Sequence, residues 1–313
     1  MNLGAKKHET MERQKMPDLR KPRIGLALGA GGARGWAHIG VISALGAQGI
    51  KPDIICGTSM GALVGAACAE GELEQLEHWV QSLRWRDVLG LMDFTWRGGF
   101  IRGEKLFDFF RGRTRNRNIE ELPVTYAAVA TELRTGREVW LREGKVLDAV
   151  RASIAIPGVF APVLRDGQVL VDGGLVNPVP VSVCRALGAD IVIAVDLGWS
   201  KLGYYRERAR DRSAMQADGE PVWWDRFLPF KGGGEKRPQD SMPSVLEVFL
   251  TSMEVMQVRV ARSRLAGEPA DALIAPILPD FGMMEFHRAG EAIAEGRAAT
   301  ERGRAVLEHL LGA

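Results

Sequence analysis

Residues 24 to 69 pass twice through one local pattern: a short apolar run, a glycine loop, then a stretch of helical composition. Ile24-Gly-Leu-Ala-Leu28 leads into Gly29-Ala-Gly-Gly-Ala-Arg-Gly35 and a helical stretch from Trp36 to about Gln48. Asp53-Ile-Ile-Cys56 then leads into Gly57-Thr-Ser-Met-Gly61 and a run of small helix-forming residues from Ala62 to Ala69. Strands separated by helices return to the sheet in parallel, which predicts a mostly parallel central sheet covered on both faces, a three-layer α/β/α arrangement. Further along, Leu73, Leu76, Val80 and Leu83 fall at helical spacing within 73–89, and 104–111 reads as a short helix. Strands are expected at 124–130 and 138–141 (as a pair), 169–171 and 191–195, with helices at 146–153 and 181–187. Two long helices are expected at 245–265 and 286–311, flanking an apolar segment at 272–277.

The chain has 313 residues, 46% of them hydrophobic and 26% charged, enough apolar material for a substantial core. That excludes a disordered chain and a small disulfide scaffold. Forty-one basic against 39 acidic residues leave a charge of +2, so nucleic acid is not an expected partner. Cys56, Cys68 and Cys184 are far apart in apolar contexts and read as core thiols of a reducing compartment. Residues 1–22 read as a flexible polar leader, without the apolar run of a secretory signal, and no window approaches the length of a membrane span. The expected location is the cytoplasm, with membrane contact at the inner surface only as a peripheral protein. With no repeat and no clear boundary, 23–313 reads as one domain. Within it, 199–243 is irregular and carries Trp199, Trp223, Trp224, Phe227 and Phe230 among basic residues. It reads either as an interfacial lid facing lipid or as a loop whose aromatics pack on the core.

The second glycine loop is a G-x-S-x-G turn between a strand and a helix. Ser59 on such a turn is either an exposed nucleophile in strained geometry, with Gly57 and Gly61 permitting close approach, or a cap of the next helix. The first loop also has two readings. As a dinucleotide fingerprint it requires an acidic residue about 20 positions on, but the second strand ends in Cys56 and Gly57. The other reading makes the amides of Gly31, Gly32 and Ala33 an oxyanion hole, with Gly29 and Gly35 as motif glycines of the loop. For a proton acceptor, His8, His38, His78, His287 and His309 all sit in contexts more typical of surface or packing residues. Asp172, at the end of the run Val169-Leu170-Val171 and followed by Gly173 and Gly174, reaches the same rim as the two loops. It reads as a base if burial raises its pKa, or as a turn cap.

The ordered set G-x-G-G-x-R-G (29–35), G-T-S-M-G (57–61), Ala152-Ser-Ile-Ala-Ile-Pro-Gly-Val-Phe-Ala-Pro162 and Asp172-Gly-Gly174 resembles the patatin-like phospholipase family, in its bacterial cytoplasmic branch. The resemblance covers about residues 23–200, and the C-terminal third more weakly. It implies the three-layer fold and a Ser59–Asp172 dyad without histidine. It also implies an oxyanion hole at 31–34 and hydrolysis of acyl esters in phospholipids, lysophospholipids or related lipids. It implies neither metal nor cofactor. Two other readings remain: a non-catalytic lipid-binding or regulatory protein that keeps the fold, and a nucleotide-binding protein using loop 29–35.

Overall fold

The computed structural model describes residues 21–84, 86–87, 115–199 and 245–312. Most of the polar leader, the helix expected at 104–111 and residues 200–243 of the aromatic segment lie outside the described residues. In chain order the elements are β1 (Ile24–Leu28), α1 (Ala37–Ala47), β2 (Ile54–Thr58), α2 (Met60–Glu70), α3 (Leu73–Ser82), β3 (Thr125–Glu132), β4 (Glu138–Leu141) and α4 (Val146–Ser153). They continue with β5 (Val163–Arg165), β6 (Gln168–Asp172), α5 (Val181–Ala186), β7 (Ile191–Val195), α6 (Val245–Gly267), β8 (Ala272–Ile274), α7 (Ala289–Arg302) and α8 (Arg304–Leu311).

The strands form one mixed sheet in the order β5-β6-β3-β2-β1-β7-β8, with β4 on the other side of β3. The pairs β1–β2, β1–β7, β2–β3 and β7–β8 are parallel; β3–β4, β3–β6 and β5–β6 are antiparallel. Alternate side chains serve two cores, as the pleat dictates. Leu26, Leu28, Ile55, Tyr126, Ala128, Ile193 and Val195 join the larger core with α1, α2, α4 and α7. Ala27, Cys56, Ala127, Val129, Val192 and Ala194 join the smaller one with Val181, Val183, Cys184 and Ala261 of α5 and α6. Burial on both faces explains why β1, β2 and β7 read as continuous apolar runs, and it makes the fold the expected α/β/α sandwich.

Three expectations change. The helix drawn from Leu73 ends at Ser82, where Leu83 turns extended. The C-terminal helix drawn over 286–311 is a 3-10 turn at Phe286–Arg288 followed by α7 and α8, which are broken at Gly303. The sequence reading also missed β5, which forms a hairpin with β6 through Asp166 (φ 49°) and Gly167 (φ 77°). An Asp-Gly pair with both φ values positive is a strong two-residue hairpin signal, and it was present in the sequence.

α1 and α7 cross at two glycines: a Cβ on Gly40 would run into the Ile293 carbonyl, and one on Gly296 into the Ala37 carbonyl. Backbone cannot yield as a side-chain tip does. Gly296→Ala is therefore expected to cost about 1–3 kcal/mol, read as a lower urea midpoint at unchanged slope; an unaltered midpoint would show that the two helices part freely.

Candidate active site

Two strands meet head-on along β3. β2 pairs with Thr125–Val129 and β4 with Ala128–Thr131, so their shared partners place them on opposite edges. β6 pairs with Ala130–Glu132, overlapping β4 and hence lying on the β2 edge. β2 ends with Thr58 opposite Val129, and β6 ends with Asp172 opposite Ala130. The residues that leave these two strand ends are Ser59 and Gly173. Thr58 and Asp172, 114 positions apart, are thus brought to adjacent rungs of one strand.

Ser59 occupies φ 56°, ψ −122° at the start of α2, a conformation that an L side chain rarely adopts. The turn closes this tightly because Gly57 lies against Gly61 and Ala62, and Gly61 against the Leu28 carbonyl. Its side chain does not cap the helix, so the capping alternative fails. The residue is 2% exposed. Its N–H donates to Ser153 Oγ at 2.9 Å, and Ser153 Oγ–H donates to the Val129 carbonyl at 2.6 Å.

Asp172 is fully buried, and both readings of it hold in part. Oδ1 accepts the Gly174 N–H at 2.7 Å, capping the short 3-10 turn Gly173–Leu175. Oδ2 has no hydrogen-bond partner among the described residues. Burial pushes the carboxyl up to about 6, while the Ser59 side chain beside it and the Gly174 amide pull it back down. The Ser59 hydroxyl thus acts on the carboxyl without closing an oriented bond to Oδ2. Gly173 rests on the Val129 carbonyl, and Gly174 lies under Gln257 of α6. The Thr58 hydroxyl ties the β2 end to the Asn177 carbonyl at 2.8 Å.

A second buried aspartate, Asp196, follows β7 at the same end of the sheet and was not singled out from sequence. Burial raises it too, but Arg262 and Arg34 oppose that rise, and Oδ1 accepts the Gly198 N–H at 2.8 Å. Asp172 has no cation among the groups that shift it, which leaves it the more basic environment.

The glycine loop adjoins the elbow: Gly35 packs on Met60, next to Ser59. Gly29 N–H is used by the Val195 carbonyl. Of the four expected oxyanion donors, Ala33 is a correction: its N–H already donates to the Met283 carbonyl at 2.8 Å, because the 278–286 segment closes over the loop. The Arg34 side chain, as distinct from its amide, is committed through Nε to the Gly31 carbonyl at 3.2 Å and through Nη1 to Glu254 of α6. A trans peptide points its carbonyl and its N–H in opposite directions. Anchoring the Gly31 carbonyl therefore turns the Gly32 N–H away from Arg34. Among the described residues, no acceptor takes the Gly31 or Gly32 N–H.

Among the described residues, no histidine is among the groups that shift Asp172. His38 is buried with Nε2 on the Gly29 carbonyl at 2.8 Å, and burial lowers it to about 4, so it is a neutral packing residue. His78, His287 and His309 are exposed, and His8 lies outside the described residues. Among the described residues, no cluster of His, Cys, Asp and Glu has the makeup of a metal site, and no helix is long and apolar enough to cross a membrane. Trp199, the first aromatic of the irregular segment, is half exposed with the Arg262 guanidinium 5.1 Å from its ring centre.

Residues 26–185 match the description of the patatin-like phospholipase family. The chain belongs to that family. It is 37% identical to an "Uncharacterized NTE family protein" of Mycobacterium tuberculosis, an alignment covering 92% of each chain. It is 33% identical to the "Patatin-like phospholipase domain-containing protein 7" of Rattus norvegicus, over 64% of this chain but 15% of that protein. Among solved structures it is similar to VipD from Legionella pneumophila, with a TM-score of 0.51 and 12% identity over 90% of this chain and 66% of that one. That last likeness bears on the fold alone.

Proposed function

We propose that this patatin-like protein is a serine acyl-ester hydrolase acting on phospholipids, lysophospholipids or related lipid esters. The observation that carries the reading is the shared edge of β3, which sets a strained serine beside a buried carboxylate with one oxygen uncommitted. Asp172 accepts the Ser59 proton as Oγ attacks the acyl carbonyl, and the oxyanion forms against the Gly31 and Gly32 amides. Collapse expels the alcohol, which leaves with the proton held by Asp172. Water, deprotonated by the same carboxylate, then cleaves the acyl-serine, releasing the acid and restoring Ser59. Membership of a phospholipase family supports a lipid as the ester.

An apolar cluster adjoins the Asp172 strand end. Ile156, Val159 and Met253 form a small cluster with Phe160, Leu175, Leu250 and Met284 at its margin, a surface suited to an acyl chain. Ser59 is nearly covered, so an ester reaches it only when the structure around it opens.

The test is incubation with vesicles of mixed phospholipid and lysophospholipid, followed by quantification of released fatty acid and by fluorophosphonate labelling. Acid release together with labelling at Ser59 is expected. Well-folded protein that neither releases acid nor takes the label sinks the reading and favours a binding protein that keeps the fold.

A further inference from the structure

The stretch that follows α4 touches the backbone of both residues assigned to chemistry. Ser153, the last residue of α4, is fully buried; it accepts the Ser59 N–H and donates to the Val129 carbonyl. Two residues on, the Ala155 carbonyl accepts the Asp172 N–H at 2.9 Å. The Asp172 carbonyl in turn accepts from the Thr131 hydroxyl at 2.8 Å. At the point where β2 leaves β3, the ladder would strand one donor and one acceptor, and the Ser153 hydroxyl bridges them. Nothing in the proton transfers or in oxyanion binding uses this hydroxyl.

We propose that Ser153 is a positioning residue that, together with the Ala155 carbonyl, clamps the Ser59 elbow and the Asp172 strand end at their working separation. The proposal rests on the hydrolase reading. Removing the hydroxyl leaves a buried N–H and a buried C=O unpaired and frees an elbow that is already strained. The alcohol then drifts from the carboxylate, and small misplacements of reacting groups are costly in rate.

The experiment compares Ser153→Ala and Ser153→Thr with wild type on a soluble acyl ester, with Ile293→Val as a core variant remote from the site. Ser153→Ala is expected to lower kcat about 10- to 100-fold with KM within about twofold. The acid limb of its rate profile is expected to move to higher pH, because the serine that lowers the Asp172 pKa has moved off. Ser153→Thr, which keeps the hydroxyl, is expected to restore kcat to within about threefold of wild type. Ile293→Val, though destabilised by about 1 kcal/mol, should keep wild-type kcat and profile. If Ser153→Ala does not fold, Ser153→Cys takes its place, with the same expected kcat loss. A kcat within twofold of wild type in the Ala or Cys variant, or an unmoved acid limb, overturns the clamp while leaving the hydrolase reading intact. A wild-type protein that turns over no ester overturns both.

Discussion

Ser59→Ala is expected to lower ester turnover at least about ten-thousandfold, roughly 5 kcal/mol of barrier or more, and to abolish fluorophosphonate labelling. The Ser59 side chain makes no cap bond, so its removal leaves the packing of α2 in place. The backbone strain remains, since alanine has the same Cβ at φ 56°. Unfolding should therefore move little while activity collapses, and circular dichroism alongside kinetics separates the two. Ser59→Gly, which tolerates this backbone, should be equally inactive and more stable than Ser59→Ala. Retained turnover in either variant would place the nucleophile elsewhere.

Asp172→Asn is expected to cost at least about a hundredfold in kcat, because the amide keeps the shape and cannot take a proton. Wild-type rate should climb tenfold per pH unit below about 6, where Asp172 titrates, and level off above. Stability should move the other way. The folded pKa lies above the ordinary carboxylate value near 4, so the native state binds the extra proton between about pH 4 and 6. Stability is lost as pH rises through that window, and at neutral pH the buried carboxylate costs on the order of 3 kcal/mol. Asp172→Asn removes that cost, so its melting temperature should exceed wild type at pH 7.5 and approach it near pH 4. A variant that is inactive and also less stable at neutral pH would mean that the carboxylate serves structure and that base catalysis lies elsewhere.

What sequence made legible was local. Glycine loops, apolar runs and the Asp-Gly-Gly turn carry their own chemistry, so β1, β2, both loops and the end of β6 could be placed from adjacent residues. What it hid depends on distant partners. The Ala33 amide reads as a free donor until Met283 is seen closing on it from 250 residues away. Nothing near Arg34 in sequence names the partner of its cation, Glu254, which lies 220 residues away. Ser153 stood inside a stretch already noted as a family motif, but its use appears only when β2 and α4 meet. The antiparallel course of β6 was equally invisible, because its register is set by β3, 40 residues earlier.

That shared rail has a consequence for chemical diversification. Successive rungs of a strand advance about 3.3 Å, which is less than the span of an imidazole with a hydrogen bond at each end. The strand ends that carry Ser59 and Asp172 stand on neighbouring rungs and leave no place for a ring between them, so Asp172→His would not rebuild a three-membered relay. On the hydrolase reading, the gulf between histidine-using enzymes and this chain is a matter of carpentry in the sheet, and crossing it would take a re-threaded strand where a point change does not suffice.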